Sequence, residues 1–190
     1  VVVKLSVAHR GRPKAGEVES GDGVLVRRDG PYTLLAVVDA LGHGVVAARS
    51  SEAAVACLSQ VPLTSGVEVL VEAVHTALRH LRGAAAMLAL FDGQTLHCAG
   101  VGNVELRTQG TRVPVLPTPG ILGQSYRSLR AVSTAMAPGD RLVVFTDGLS
   151  FRLDLESVRS QSPEEACVLL LERYGRLTDD ATVLVADVEP

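Results

Sequence analysis

Two apolar runs hinged on Asp29-Gly30 set the strongest constraint on the fold. In VLVRRDGPYTLLAVVD, residues 24–39, β-prone segments flank a dipeptide suited to a tight hairpin. The arrangement returns in AAAMLALFDGQTLHCAGVG, residues 84–102, around Asp92-Gly93. Hairpins join antiparallel strands, whereas a parallel sheet needs strict alternation of strands and helices. Two helical stretches lie between the hairpins. One is VVAARSSEAAVACLSQ, with small and apolar residues at helical spacing. The other is GVEVLVEAVHTALRHL, where Val67, Leu70, Val71, Val74, Leu78 and Leu81 share a face. Pro62 separates the two.

The rest of the chain extends the pattern. VVVKLSVA opens as a strand, and HRGRPKAGEVESGDG follows as a polar loop. VELRT and TRVPVL continue strand character, PTPGILGQS is a loop, and DRLVVFTDG is a buried strand. PEEACVLLLERYG is a helix with Pro163 in its first turn and Gly175 past its end, and DDATVLVADV is the final strand. The pattern predicts an α+β layered domain, antiparallel sheets covered by helices, with residues 1–190 as one domain.

Hydrophobic residues make up 47% and charged residues 21%, which excludes a disordered chain. The net charge of −3 speaks against nucleic acid as a partner. No apolar run reaches the roughly 18 residues of a membrane span, so a cytoplasmic protein is expected. Cys57, Cys98 and Cys167 follow neither a disulfide nor a CxxC pattern and are expected as reduced, buried thiols.

Acidic residues recur at strand tips: Asp22 in SGDG, Asp39 in VVDALGHG, Asp147 in FTDGLS, Asp179 and Asp180 in TDDATVLV. In an antiparallel sandwich such tips can converge on one rim, where a cation is needed to offset their repulsion. Mg²⁺ or Mn²⁺ suits an all-oxygen site. The other reading is that each aspartate is an isolated turn or cap residue, as Asp29-Gly30 and Asp92-Gly93 are. Asp147 and Asp39 depart from that reading. LSFRLDLES after Asp147 is no obvious partner strand, and Asp39 leads through Gly42-His43-Gly44 into a helix.

SGDG, VVDALGHG, VVFTDGLS and DDATVLVADV, in that order, resemble the metal-dependent serine/threonine phosphatases of the PPM (type-2C) family, and its SpoIIE-type branch most. The resemblance implies a four-layer α-β-β-α sandwich holding two divalent metal ions, Mn²⁺ or Mg²⁺, and hydrolysis of a phosphoserine or phosphothreonine monoester by an activated water. It implies that Asp39 bridges the metals, that the Ala40 carbonyl is a ligand beside it, and that Asp22, Asp147 and Asp179 complete the set. Asp39 and Asp147 are the residues on which catalysis is expected to depend. Asp180 then stands where many relatives carry Asn. Gly42 and Gly44 are expected to let the backbone turn sharply beneath the site, and Gly42, His43, Gly148, Asp180 and Arg10 are candidates for supporting the site or touching substrate. His43 stands four residues after Asp39, not two as in the Asp-Gly-His-Gly version of the motif, so a supporting or helix-start role is expected. Asn103 occupies the place of a third-metal aspartate, and a neutral amide is a poor ligand for a hard cation. Arg10, Arg12 and Lys14 are candidates for contact with the substrate phosphate, with a solvated loop as their plainer role. LPTPGILGQSYRS, residues 116–128, is a candidate for substrate contact.

At 190 residues, the chain is expected to carry no sensor or membrane segment ahead of the catalytic domain. That resembles the free-standing branch members that dephosphorylate STAS-domain proteins of a stressosome and damp the general stress response. The implied partners are phosphorylated RsbS- and RsbR-like proteins, and a monomer is expected. Three other readings fit the residues: a phosphatase of an anti-anti-sigma factor, a catalytically silent binding module of the same fold, and a metal-dependent hydrolase of a small phosphoester.

Overall fold

A computed structural model describes residues 3–190. Its strands are β1 (Leu5–Arg12), β2 (Asp22–Asp29), β3 (Tyr32–Ala40), β4 (Ala84–Phe91), β5 (Thr95–Val101), β6 (Glu105–Gln109), β7 (Gly120–Ile121), β8 (Ser125–Tyr126), β9 (Ala131–Ala135), β10 (Arg141–Phe145) and β11 (Ala181–Val188). The helices are α1 (Gly44–Leu58), α2 (Val67–Ala77) and α3 (Pro163–Tyr174). One sheet runs β2-β3-β4-β5-β9 and the other β1-β11-β10-β6, with every pairing within them antiparallel.

Alternation along the strands decides what each face meets. On β3, Leu34, Ala36 and Val38 pack under α1 and α2, while Leu35 and Val37 point to the opposite sheet. On β10, Leu142 and Val144 point inward and Val143 and Phe145 meet α3. The result is helix, sheet, sheet, helix, with a core between each pair of layers. Each fully buried aliphatic side chain contributes about 1.5–3 kcal/mol. The α3 terminus is set by a capping box, in which Ser162 and Glu165 satisfy each other's backbone N–H groups and Pro163 stands at the first turn.

Arg141 ties the four-stranded sheet to the segment before α3. Its guanidinium donates to both oxygens of Asp187, at 2.6 and 2.7 Å, and to the carbonyls of Val158 and Gln161. Arg141→Ala leaves all of these without a donor. It is expected to cost about 3 kcal/mol, the low end for a broken buried pair because Asp187 keeps some exposure, and to lower the melting temperature by about 10 °C. Thermal denaturation followed by circular dichroism checks this.

Several expectations need correction. Val1 and Val2 lie outside the described residues, and the opening strand starts at Leu5 and runs on to Arg12. Polar residues are tolerated there because β1 is an edge strand. TRVPVL forms no strand, since Pro114 lacks the donor a ladder needs. β9, which borders β5, carries only an Ala-Val-Ser-Thr-Ala signal. Helix α2 ends at Ala77, so Leu81 leaves the apolar face and is 39% exposed. Residues 116–128 hold the β7-β8 hairpin, which lies on the start of β4 through an Ala84–Leu122 bridge; no residue of that segment is among those lining the cleft described next. Cys98 and Cys167 are buried and free, and Cys57 is partly buried. No helix among the described residues is long and apolar enough to cross a membrane.

Candidate active site

The inward-facing series on each strand ends in a polar residue at the same edge of the sandwich. On β3 the series Leu35, Val37 continues to Asp39, and on β2 the series Val26, Val24 continues to Asp22. The two aspartates are register partners. Across the core, β10 continues into Thr146 and Asp147, and β11 is preceded by Asp179 and Asp180. A cleft of about 330 Å³ opens here. Asp39, Asp147 and Asp179 line it together with Ala40, Asn103 and Lys14. Leu41, Gly42 and His43 form the side that leads into α1.

Asp22 stands behind the wall of the cleft. Its Oδ2 accepts a 2.8 Å hydrogen bond from the Thr146 hydroxyl, which itself accepts from the Thr182 N–H. Its Oδ1 is buried and has no partner. Burial, reinforced by Asp180 and Asp147, pushes Asp22 up to about 7 from the ordinary 3.8. Asp39 is pushed up to about 9, by burial first and then by the charges of Asp22 and Asp147. Asp39 and Asp147 approach closely enough to hydrogen-bond when one is protonated. Asp179 is also raised, by burial and then by Asp147. Anions crowded and desolvated in this way call for a cation. Among the described residues no three acidic, histidine or cysteine side chains close on one point at coordination distance. Asp39, Asp147 and Asp179 line the cleft instead, with Asp22 behind its wall. The orphaned Asp22 oxygen and the all-oxygen donor set fit hard divalent cations.

Asp179 and Asp180 have different surroundings. Asp180 is buried, and its two oxygens accept from the backbone N–H of Lys14 at 2.8 Å and of Gly21 at 2.7 Å. Those oxygens are committed to holding the β1–β2 loop, whereas Asp179 faces the cleft. Gly148 permits that packing, because a β-carbon there would run into the Asp180 carbonyl and the Ala181 Cα. Gly148→Ala is therefore expected to cost about 1–3 kcal/mol and to displace Asp147. A lowered melting temperature together with weakened Mn²⁺ binding in titration calorimetry checks both effects.

Gly42 and Gly44 take positive φ, +88° and +71°, as the backbone folds under the cleft. His43 lies between them on extended backbone, and its side chain caps nothing. Its Nδ1 hydrogen-bonds Glu17 Oε1 at 2.6 Å. Glu17 carries no strand or motif signal, and only this contact reveals it. Asn103 donates from Nδ2 to Asp147 Oδ2 at 2.8 Å and so orients that carboxylate. Arg10 is not at the cleft. Because β1 continues through it, its side chain falls on the Ala8 face, where it lines a hollow with Glu164 and Leu169 of α3. Lys14 is the cation of that segment that reaches the cleft.

Comparison with known proteins agrees with this arrangement. Residues 29–189 match the family described as stage II sporulation protein E, SpoIIE. The phosphoserine phosphatase RsbX of Bacillus subtilis (strain 168) is 28% identical over 182 residues, 92% of this chain and 90% of that protein. A chain solved in work on the bacterial stressosome, described there as a modular system adapted to control secondary messenger signalling, is 32% identical. It superposes with a TM-score of 0.87 over 96% of this chain and 99% of its own. The crystal structure of RsbX in complex with magnesium superposes with a TM-score of 0.86 at 23% identity, covering 98% of each chain. The sandwich is thus the PPM phosphatase fold. Within that class, the chain belongs to the SpoIIE family.

Proposed function

We propose that this chain is a metal-dependent protein serine/threonine phosphatase that acts on phosphorylated STAS-domain proteins of a stressosome, RsbS- and RsbR-like, and so damps a stress response. The observation that carries the reading is the delivery of Asp39, Asp147 and Asp179 to one cleft, with Asp22 paired to Asp39 behind its wall and one buried Asp22 oxygen left without a partner. The likeness to RsbX over nine-tenths of both chains and to a stressosome chain supports the substrate class.

In this reading Asp39, Asp147 and Asp179, with Asp22 and the Ala40 carbonyl, would hold two divalent cations. When bound, Mn²⁺ or Mg²⁺ would supply charge neutralisation at the phosphoryl oxygens and a water of lowered pKa. Lys14 brings a positive charge to the mouth of the cleft, where it attracts and orients the phosphate monoester. Asn103 holds one Asp147 oxygen, leaving the other to face the cleft. No cysteine lines the cleft, so the residues present supply no thiol nucleophile there. The Gly42–Gly44 backbone keeps the approach open, and Glu17 fixes the His43 ring at the rim.

Release of phosphate from a phosphorylated STAS-domain protein tests the reading. It is expected with Mn²⁺ and expected to vanish in chelator. Hydrolysis of p-nitrophenyl phosphate without release from the STAS-domain protein would discard the substrate class, and inactivity on both would discard the phosphatase.

A further inference from the structure

Nine large apolar side chains stand exposed among the described residues; one of them lines the cleft, and four more lie on the segments that lead into it. Leu41, 37% exposed, lines it directly. Val45 and Val46 follow Gly42-His43-Gly44 on the first turn of α1 and are about half exposed. Val18 is almost fully exposed and adjoins Glu17, whose carboxylate holds His43. Leu177 precedes the cleft residues Thr178 and Asp179, and its carbonyl accepts from the Ala15 N–H of the same loop that carries Val18. Hydrogen bonds thus link the segments that carry these residues, from Leu177 through residues 15–17 to His43 at the start of α1.

Folding gives no reason for these side chains. Helix α1 buries Gly44, Ala47, Ala48, Ser50, Ser51, Ala54 and Leu58, and Val45 and Val46 point away from that face. Exposed β-branched residues are also poorer helix formers than alanine or lysine. Exposed apolar side chains gathered on the segments around a polar cleft mark a surface that something covers.

The geometry points to a docking collar for a folded phosphoprotein, in which Val18, Val45, Val46 and Leu177 contact the protein surface around the phosphoserine. This inference rests on the phosphatase reading above. A phosphoryl group that reaches Asp39 and Asp147 brings whatever carries it onto this rim. A small phosphoester would touch only the cleft, and an extended peptide would cover a strip of the rim. A folded surface covers the α1 side and the side preceding β11 together. Lys14 lines the cleft and Arg176 adjoins Leu177 in the chain, so both bring positive charge to the segments that carry the apolar residues, which suits an approaching phosphate. The collar therefore selects for the protein around the phosphoserine, while the aspartates act on the phosphate.

The test compares kcat/KM on an intact phosphorylated STAS-domain protein with kcat/KM on p-nitrophenyl phosphate. The parent chain is compared with the triple variant Val45→Ser, Val46→Ser, Leu177→Ser, and with Val18→Ser. Val69→Ser on α2, at a residue 50% exposed, serves as control. The ratio of the two values is expected to fall at least about tenfold in the triple variant, less in Val18→Ser, and less than about twofold in the control. A ratio that stays within twofold in both rim variants, or that falls as far in Val69→Ser, overturns the collar while leaving the phosphatase standing. A parent chain inactive on both substrates overturns the phosphatase reading and the collar with it.

Discussion

Asp147→Asn is expected to slow phosphate release by about 10²–10³-fold, the loss usual when one preorganised electrostatic group is removed from an active site. The substitution keeps the shape of the side chain, and Asp147 is exposed at the cleft rather than packed in the core, so the fold should survive. The Asn103 amide loses its charged acceptor but still faces a carbonyl oxygen. Because charge rather than volume is lost, the effect should appear in the metal dependence: saturation should require more Mn²⁺, and kcat should stay low at saturation. Steady-state kinetics across a Mn²⁺ titration distinguish this from simple unfolding. Activity close to that of the parent would remove Asp147 from the proposed metal set.

A second large effect is expected in stability. In chelator, the melting temperature should fall as pH rises from about 5 to about 9. Asp39 and Asp22 are raised to about 9 and about 7 in the folded protein and have the ordinary 3.8 when unfolded. Across this window the folded state binds more protons than the unfolded one, so stability present at low pH is lost as pH climbs through the folded values. Divalent cations should reverse the sign, because they bind the deprotonated carboxylates. At a hundredfold excess over the dissociation constant, Mn²⁺ should add about 2.7 kcal/mol, or roughly 5–10 °C for a chain of this size. Asp39→Asn should melt higher than the parent in chelator at pH 8 and gain little from Mn²⁺. Parallel pH curves with and without the cation would contradict the whole account.

Much of this arrangement can be read along the chain. The two Asp-Gly hairpins gave the antiparallel sheets, and an apolar run stopping at Asp39 before Gly42-His43-Gly44 pointed to the cleft. The alternation of Leu35, Val37 and Asp39 carries the further information that the carboxylate faces the space between the sheets, once one knows which face α1 covers. Other features depend on contacts between distant segments. Asp179 and Asp180 are adjacent and chemically alike, and only the Lys14 and Gly21 amides that bind Asp180 tell them apart. Arg10 and Lys14 differ because β1 extends four residues past its apolar run, and edge-strand polarity conceals that extension. Glu17 becomes visible only through His43.

The Asp180 clamp also bears on when activity can arise during synthesis. Its two hydrogen bonds join positions 166 and 159 residues apart, and β1 finds its only neighbour in the sheet, β11, at a similar separation. Contacts of such long range form late. A growing chain that already displays Asp22, Asp39 and Asp147 still lacks Asp179, the strand that seats β1, and the anchor for the loop bearing Lys14. The cleft is therefore expected to stay incomplete until the segment around Asp180 closes the two ends of the fold together.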